Sequence, residues 1–117
     1  MLPNCYTVTH LKCVRLFNKL NKELFGGVLF QFRNIYIRHM CDDDMFALTE
    51  ESTKLQCNLH IEEEFPTYEV FKMIFAHEML HNYQWVEYGL MDHSRKQFLS
   101  WKNRFAKFGI ELKINYY

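Results

Sequence analysis

The sequence lacks the marks of several large protein classes. Its four cysteines, Cys5, Cys13, Cys41 and Cys57, form no CxxC pair, which argues against a zinc ribbon or a disulfide framework and predicts reduced thiols. No apolar run approaches the ~18 residues of a membrane-spanning helix, and no charged segment followed by an apolar stretch opens the chain. We therefore expect a cytoplasmic protein without a signal peptide and without a membrane partner.

The chain also lacks a net charge, although its charges are unevenly distributed. Residues 1–40 carry six cations and one anion, residues 41–64 carry eight anions and one cation, and residues 94–117 again carry six cations and one anion. The two basic ends could contact the phosphates of a nucleic acid. We prefer the simpler interpretation that they are the solvated faces of two helices, which leaves a nucleic acid as a weakly supported partner.

A length of 117 residues predicts one domain, covering residues 1–117, with a modest single core. The hydrophobic periodicity indicates an α+β fold with an N-terminal helix, a small and mostly antiparallel sheet, a central helix and a C-terminal helix. The predicted helices are 10–25, capped by Thr9 and closed by Gly26 and Gly27, then 68–88 and 94–108; the predicted strands are 35–38, 45–50 and 54–61, with a turn at 51–53 between the last two.

Side-chain patterns predict which faces of these elements are buried. The first helix has an apolar face and a basic face, and the basic face consists of Lys12, Arg15, Lys19 and Lys22. The strand at 54–61 is expected to point four apolar residues inward, namely Leu55, Cys57, Leu59 and Ile61. The helix at 68–88 is apolar on most sides, which is typical of a central, buried helix. The last helix is expected to bury Phe98, Trp101, Phe105 and Phe108.

The motif His77-Glu78-Met79-Leu80-His81 (HExxH) lies in the middle of that central helix. Four residues advance a helix by ~400°, so the two imidazoles lie one turn apart on nearly the same face, where both can reach one Zn²⁺. Glu78 lies about 100° further round, where it can reach a water at the metal without binding the metal itself. This pattern predicts a zinc-dependent peptidase with His77 and His81 as ligands and Glu78 as general base.

A catalytic zinc usually has three protein ligands, and three residues after the motif are candidates for the third. His93 is our first choice because imidazole is a common zinc ligand, and Asp92 beside it is the second. Glu87 is a distant third, since a continuing helix points it away from the two histidines. His60, on a strand that precedes the helix, is a minor candidate for contact with a substrate.

Three segments, taken in order, resemble the SprT-like zinc metallopeptidases. Residues 17–27 (FNKLNKELFGG) are similar to the end of that family's first helix, residues 77–81 match its HExxH helix, and residues 93–101 (HSRKQFLSW) are similar to the element that carries its third zinc histidine. The resemblance spans residues 9–108. It implies a zincin-like domain in which His93 completes the zinc site. Because no cysteine follows Cys57, we expect a compact member without the family's C-terminal zinc ribbon.

The resemblance also implies proteolysis of protein substrates, which in several members of the family are proteins bound to DNA. So compact a member suggests a phage or mobile-element protein acting in the host cytoplasm.

Tyr83, Tyr88 or a C-terminal tyrosine could supply a second hydrogen-bond donor to the oxyanion that forms when water attacks the peptide carbonyl. The strand near Leu55–Ile61 could bind an extended substrate by strand addition. The alternative function is a zinc-stabilised binding or inhibitor module, such as an anti-defence protein, with the same fold and little turnover.

Overall fold

The computed structural model describes residues 5–40, 45–89, 91 and 98–113, and it is a mixed α+β fold, as the sequence predicts. Within the described residues no helix is long and apolar enough to cross a membrane. In chain order the elements are β1 (Tyr6–Thr7), α1 (His10–Phe25), β2 (Ile35–Arg38), β3 (Ala47–Glu51), β4 (Cys57–Glu62), β5 (Glu64–Phe65), α2 (Tyr68–Tyr88) and α3 (Lys102–Ala106).

Both long helices begin and end where the sequence predicts. Thr9 caps α1 by accepting a hydrogen bond from the Lys12 backbone N–H at 3.2 Å, and Thr67 caps α2 by accepting one from Val70 at 3.2 Å. Such caps satisfy N–H groups that have no partner within the helix. At the other end of α1, Gly26 adopts the left-handed conformation (φ 64°), which glycine reaches without steric cost.

The central helix is buried on every side over its middle turns. All residues from Ile74 to Asn82 are buried, which confirms that α2 is the interior helix of the domain. It packs most extensively on β3 and also contacts α1, β4 and β5. The predicted apolar face of α1 is confirmed as well, since Cys13, Leu16, Phe17, Leu20 and Leu24 are all buried.

The three-stranded sheet has the order β2-β4-β3, with β4 in the middle. β3 runs antiparallel to β4, as expected for a hairpin, whereas β2 runs parallel to β4. The sheet is therefore mixed, and the second described sheet is the short antiparallel pair of β1 and β5. Since β4 is hydrogen-bonded on both sides, it cannot accept a further strand, so the predicted strand addition at residues 55–61 is wrong.

The turn of the hairpin is longer than predicted, which moves Leu55 out of the sheet. Thr53 Oγ1 accepts a hydrogen bond from the Gln56 backbone N–H at 3.1 Å, and the Thr53 N–H donates to the Gln56 carbonyl at 2.9 Å. These bonds close a turn over residues 52–56, so β4 begins only at Cys57. Cys57, Leu59 and Ile61 point inward as predicted, but Leu55 is 51% exposed.

The predicted last helix, residues 94–108, is described from residue 98 onward, and over that part it is interrupted. Phe98 and Leu99 are helical, a turn follows at Ser100 and Trp101, and α3 occupies only Lys102–Ala106. The turn directs the Trp101 ring onto Phe25 and Tyr83, with ring centroids 5.0 and 4.9 Å apart. Phe98 and Phe105 are buried, whereas Trp101 and Phe108 are only partly buried. The start of this segment, residues 94–97, lies outside the described residues.

The described cysteines, Cys5, Cys13 and Cys57, are free thiols, and Cys41 lies outside the described residues. Burial raises the pKa of Cys13 and of Cys57 to about 12. Both thiols therefore stay protonated at neutral pH and behave as small apolar groups of the core.

The revised hairpin predicts opposite outcomes for one substitution at two neighbouring leucines. Leu59→Ala removes a fully buried side chain and should lower the free energy of unfolding by about 2–5 kcal/mol. Leu55→Ala removes a half-exposed side chain of the turn and should cost less than about 1 kcal/mol. Urea unfolding followed by circular dichroism measures both, and equal losses would place Leu55 in the core after all.

Candidate metal centre

The histidines and the glutamate of the HExxH motif lie in the buried part of α2. His77, Glu78 and His81 are exposed by only 6%, 6% and 8%. Polar groups removed from water to this extent are costly unless they have hydrogen-bond partners or bind a metal. Their partners therefore determine what this site can do.

Each imidazole is held in place through its Nδ1 atom. His77 Nδ1 lies 3.0 Å from the backbone carbonyl oxygen of Lys113, and His81 Nδ1 lies 2.9 Å from Oε1 of Gln84. Both oxygens only accept hydrogen bonds, so each Nδ1 carries the proton. In a neutral ring the other nitrogen, Nε2, then has a bare lone pair, which is the form of histidine that binds a metal.

The two Nε2 atoms lie only 3.1 Å apart. A hydrogen bond between them would require one ring to take up a second proton, which would bury a charged imidazolium. One cation shared by both lone pairs removes this conflict. Zinc bonds to nitrogen of ~2.0–2.1 Å in a tetrahedral arrangement place two nitrogens about 3.3 Å apart, close to the observed separation. The pair therefore fits one zinc ion.

The Glu78 carboxylate lies beside this pair. Its Oε2 atom is 3.9 Å from His77 Nε2, and its Oε1 atom accepts a hydrogen bond of 2.8 Å from the Thr49 hydroxyl of β3. Burial raises the pKa of Glu78 to about 7, and the hydrogen bond from Thr49 opposes that rise. A carboxyl with a pKa near neutrality can both accept and release a proton at physiological pH.

Phe98 covers the other side of the histidine pair. Its ring centroid is 5.0 Å from that of His77 and 5.7 Å from that of His81, and the side chain is fully buried. Apolar cover of this kind keeps bulk water from the imidazoles and strengthens the electrostatic interactions among them. The segment that contains Phe98 thus packs directly on the candidate site.

Of the three candidates for a third ligand, Glu87 is among the described residues. Glu87 is exposed on the last turn of α2 and lies away from the buried histidines, as the helical geometry predicts. His93 and Asp92 lie outside the described residues.

The minor candidates are placed elsewhere. His60 projects from the sheet face opposite the buried side chains of β4, where it stacks on Tyr36 and hydrogen-bonds to Glu50 at 3.2 Å, so its predicted contact with a substrate at this site is wrong. Tyr83 packs between Phe25 and Trp101, and Tyr88 is 53% exposed. Neither tyrosine is placed beside the histidines. The C-terminal tyrosines lie outside the described residues.

Three residues that contribute to the site are not identified from the sequence. Gln84 follows His81 by three positions, and residues with this spacing are neighbours on a helix. The spacing was therefore a signal for the contact between the two side chains. Thr49 and Lys113 are 29 and 36 residues distant from their partners. Lys113 contributes only a backbone carbonyl, which leaves no mark on the sequence.

Another group of potential ligands, not foreseen from the sequence, brings His39, Glu62 and Glu63 within 4.8 Å of one another. Glu62 is buried, and its carboxylate already accepts hydrogen bonds from the backbone N–H groups of Met40 at 2.7 Å and Glu63 at 3.2 Å. His39 Nδ1 lies 3.4 Å from the same carboxylate. These bonds tie the end of β2 to the end of β4, which is a structural role.

Comparison of the chain with protein-family models, with curated proteins and with solved structures finds no match. What the site can do therefore follows from its own residues and their geometry.

The contact between Thr49 and Glu78 can be tested without any metal. Thr49→Val keeps the shape of the side chain but leaves a buried carboxylate oxygen without its donor, so the free energy of unfolding should fall by about 1–3 kcal/mol. Thr49→Ser keeps the hydroxyl and should cost less than about 1 kcal/mol. Urea unfolding of chelator-treated protein provides the comparison. If the valine variant is no less stable than the serine variant, the hydroxyl contributes no specific stabilisation and its role at Glu78 is contradicted.

Proposed function

We propose that this chain is a zinc-dependent metallopeptidase with a zincin-like domain, similar to the SprT-like enzymes, that hydrolyses peptide bonds of protein substrates. One observation carries the proposal. Two imidazoles, each held through Nδ1, bring their Nε2 atoms within 3.1 Å of each other, and a carboxylate oxygen of Glu78 lies 3.9 Å from one of them. A structural pair of histidines has no need of such a carboxylate.

His77, His81 and His93 are the proposed ligands of the zinc. The first two are supported by their geometry. His93 is supported by the sequence resemblance and by its position in the chain, because Phe98, only five residues later, packs against both imidazoles. Gln84 and the Lys113 carbonyl orient the first two ligands, and outer partners of this kind typically change metal affinity by about 10–100-fold when they are removed.

Glu78 is the proposed general base and acid. A zinc ion in this site would supply Lewis acidity, polarising the peptide carbonyl and making a water molecule more acidic. Glu78 takes the proton of the attacking water and later passes it to the amine that leaves. The Thr49 hydroxyl fixes Oε1, so Oε2 is the oxygen directed toward the histidine side and is the one placed to move the proton.

The proposed binding place for an extended substrate is the outer edge of β3. Among the described residues β3 pairs with β4 on one side and with no strand on the other. Thr49 of this strand touches Glu78, so β3 lies directly beside the proposed reacting groups. An extended peptide added to that edge would pass the carboxylate, and its backbone hydrogen bonds would give affinity with little dependence on side chains.

The zinc assignment predicts one equivalent of zinc per chain in protein purified without chelator, measured by elemental analysis. His77→Ala should lose the metal. His93→Ala should weaken metal affinity strongly, because it removes a ligand, whereas the neighbouring substitution Asp92→Ala should leave affinity largely intact. If Asp92→Ala releases the metal and His93→Ala does not, the aspartate is the third ligand. Absence of a stoichiometric transition metal from the wild type would contradict the assignment altogether.

The role of Glu78 predicts a variant that binds metal but does not turn over substrate. Glu78→Gln should lower hydrolysis of an unfolded protein substrate by at least about 10²–10⁴-fold, since it removes the base, while zinc content and melting temperature stay close to those of the wild type. His77→Ala is the matched comparison, because it should lose zinc, activity and stability together.

Equal losses of stability in Glu78→Gln and His77→Ala would mean that Glu78 holds the fold together. Zinc binding without turnover of any substrate would favour the alternative function, a binding or inhibitor module. Both results are read from the same three measurements, namely bound zinc, thermal unfolding and cleavage of substrate.

A further inference from the structure

A basic cleft lies between α1, β1 and the first residue of α2. Its volume is ≈ 200 Å³, and it is lined by Tyr6, Lys12, Arg15, Leu16, Lys19 and Tyr68. Half of the lining residues are cations and none is an acid. The sequence predicts that this basic face of α1 is a solvated surface. In the structure three of its cations instead line a concave cleft.

No acid among the described residues neutralises the cations of the cleft. Lys12 Nζ donates to the Thr7 carbonyl at 2.6 Å and lies 4.5 Å from the centroid of the Tyr6 ring, which fixes its position at the rim. Arg15 and Lys19 are exposed, and over residues 5–40, 45–89, 91 and 98–113 neither has an ion pair or a side-chain hydrogen bond. Like charges three and four residues apart on one helix face repel each other, so an anion in the cleft would relieve that repulsion.

Two further features favour an anion at this place. Tyr68 is the first residue of α2, so the positive end of that helix faces the same region. Tyr68 packs edge-on against Tyr6 with centroids 5.4 Å apart and is 37% exposed, so its hydroxyl is available as a donor. Glu69 in the first turn is exposed and forms no ion pair with the cations among the described residues.

The size and the donors of the cleft identify the chemical class of the anion. Pockets that enclose whole drug-sized ligands measure about 300–1,000 Å³, so a cleft of ≈ 200 Å³ suits a smaller group. A phosphate group offers several acceptor oxygens and more than one negative charge, which matches an arginine fork, two ammonium groups and tyrosine hydroxyls better than a single carboxylate does.

We propose that the cleft formed by Tyr6, Lys12, Arg15, Lys19 and Tyr68 binds a phosphate group. The phosphate could belong to a small phosphorylated compound or to the backbone of a nucleic acid. The basic face continues beyond the cleft to Lys22, which lies about 15 Å along α1 from Lys12, so successive phosphates of one strand could follow it.

The proposal is independent of the metal centre. Tyr68 precedes His77 by nine residues, which separates the cleft from the histidine pair by about 14 Å along the axis of α2. Phosphate binding can therefore fail while zinc binding succeeds, and the reverse.

The test uses the full chain and two probes, inorganic pyrophosphate in isothermal titration calorimetry and a fluorescent single-stranded oligonucleotide of 20 thymidines in anisotropy. The double variant Arg15→Gln/Lys19→Gln should bind either probe at least about ten-fold more weakly, because it removes two charge-assisted contacts. The matched control, Lys102→Gln/Lys107→Gln, removes the same charge from exposed positions elsewhere and should change binding less than about two-fold. Melting temperatures verify that both variants are folded, and Arg15→Gln alone serves if the double variant is not.

The two probes distinguish the source of the phosphate. Binding of pyrophosphate with no tighter binding of the oligonucleotide indicates a small phosphorylated ligand. A nucleic-acid backbone is indicated if the oligonucleotide binds more tightly than pyrophosphate and is displaced by it. The salt dependence of oligonucleotide binding should then become shallower in the Arg15/Lys19 variant. The proposal is overturned if the wild type binds neither probe at 50 mM salt, a concentration at which phosphate contacts are strong. It is also overturned if the control variant loses as much affinity as the cleft variant.

Discussion

The structure depends on how three polar side chains are accommodated in the middle of a buried helix. His77, Glu78 and His81 interrupt an apolar stretch that packs on all sides, so each of them keeps little contact with bulk water. Three hydrogen-bond partners from different parts of the fold contact these side chains. A hydroxyl of β3 binds Glu78, a backbone carbonyl after α3 binds His77, and a side-chain amide of α2 itself binds His81. Each partner also fixes one orientation of the group it satisfies. The same contacts that make burial tolerable therefore define the geometry of the site.

The contact between the two histidines differs in kind from these. The Nδ1 atoms of the two histidines each have an oxygen acceptor, while their Nε2 atoms lie 3.1 Å from each other. A site that serves only to stabilise the fold would place a donor opposite an acceptor there. The proposal of a zinc peptidase rests on the close approach of these two nitrogens together with the nearby carboxylate of Glu78.

The parts of the fold that the sequence predicts are those with local causes. Both long helices carry their own caps and glycine ends, and the spacing of His77 and His81 is a property of one helical turn. The parallel pairing of β2 with β4 has no such cause, because a four-residue strand that alternates does not specify the direction of its neighbour. Leu55 is misplaced for a related reason. Thr53 closes the turn with side-chain hydrogen bonds, and that local competition outweighs a continuing alternation of apolar residues.

The hydrogen bond from His77 to Lys113 also has a consequence for when the site can exist during synthesis of the chain. The helix that carries His77, Glu78 and His81 is complete by Tyr88, yet the carbonyl that accepts from His77 lies 36 residues after His77. A ribosome releases residues in order, so this hydrogen bond can form only after Lys113 has emerged. Until then the Nδ1 proton of His77 lacks the acceptor that it has in the folded domain. The orientation of this ring is therefore completed only when nearly all of the described residues have been synthesised.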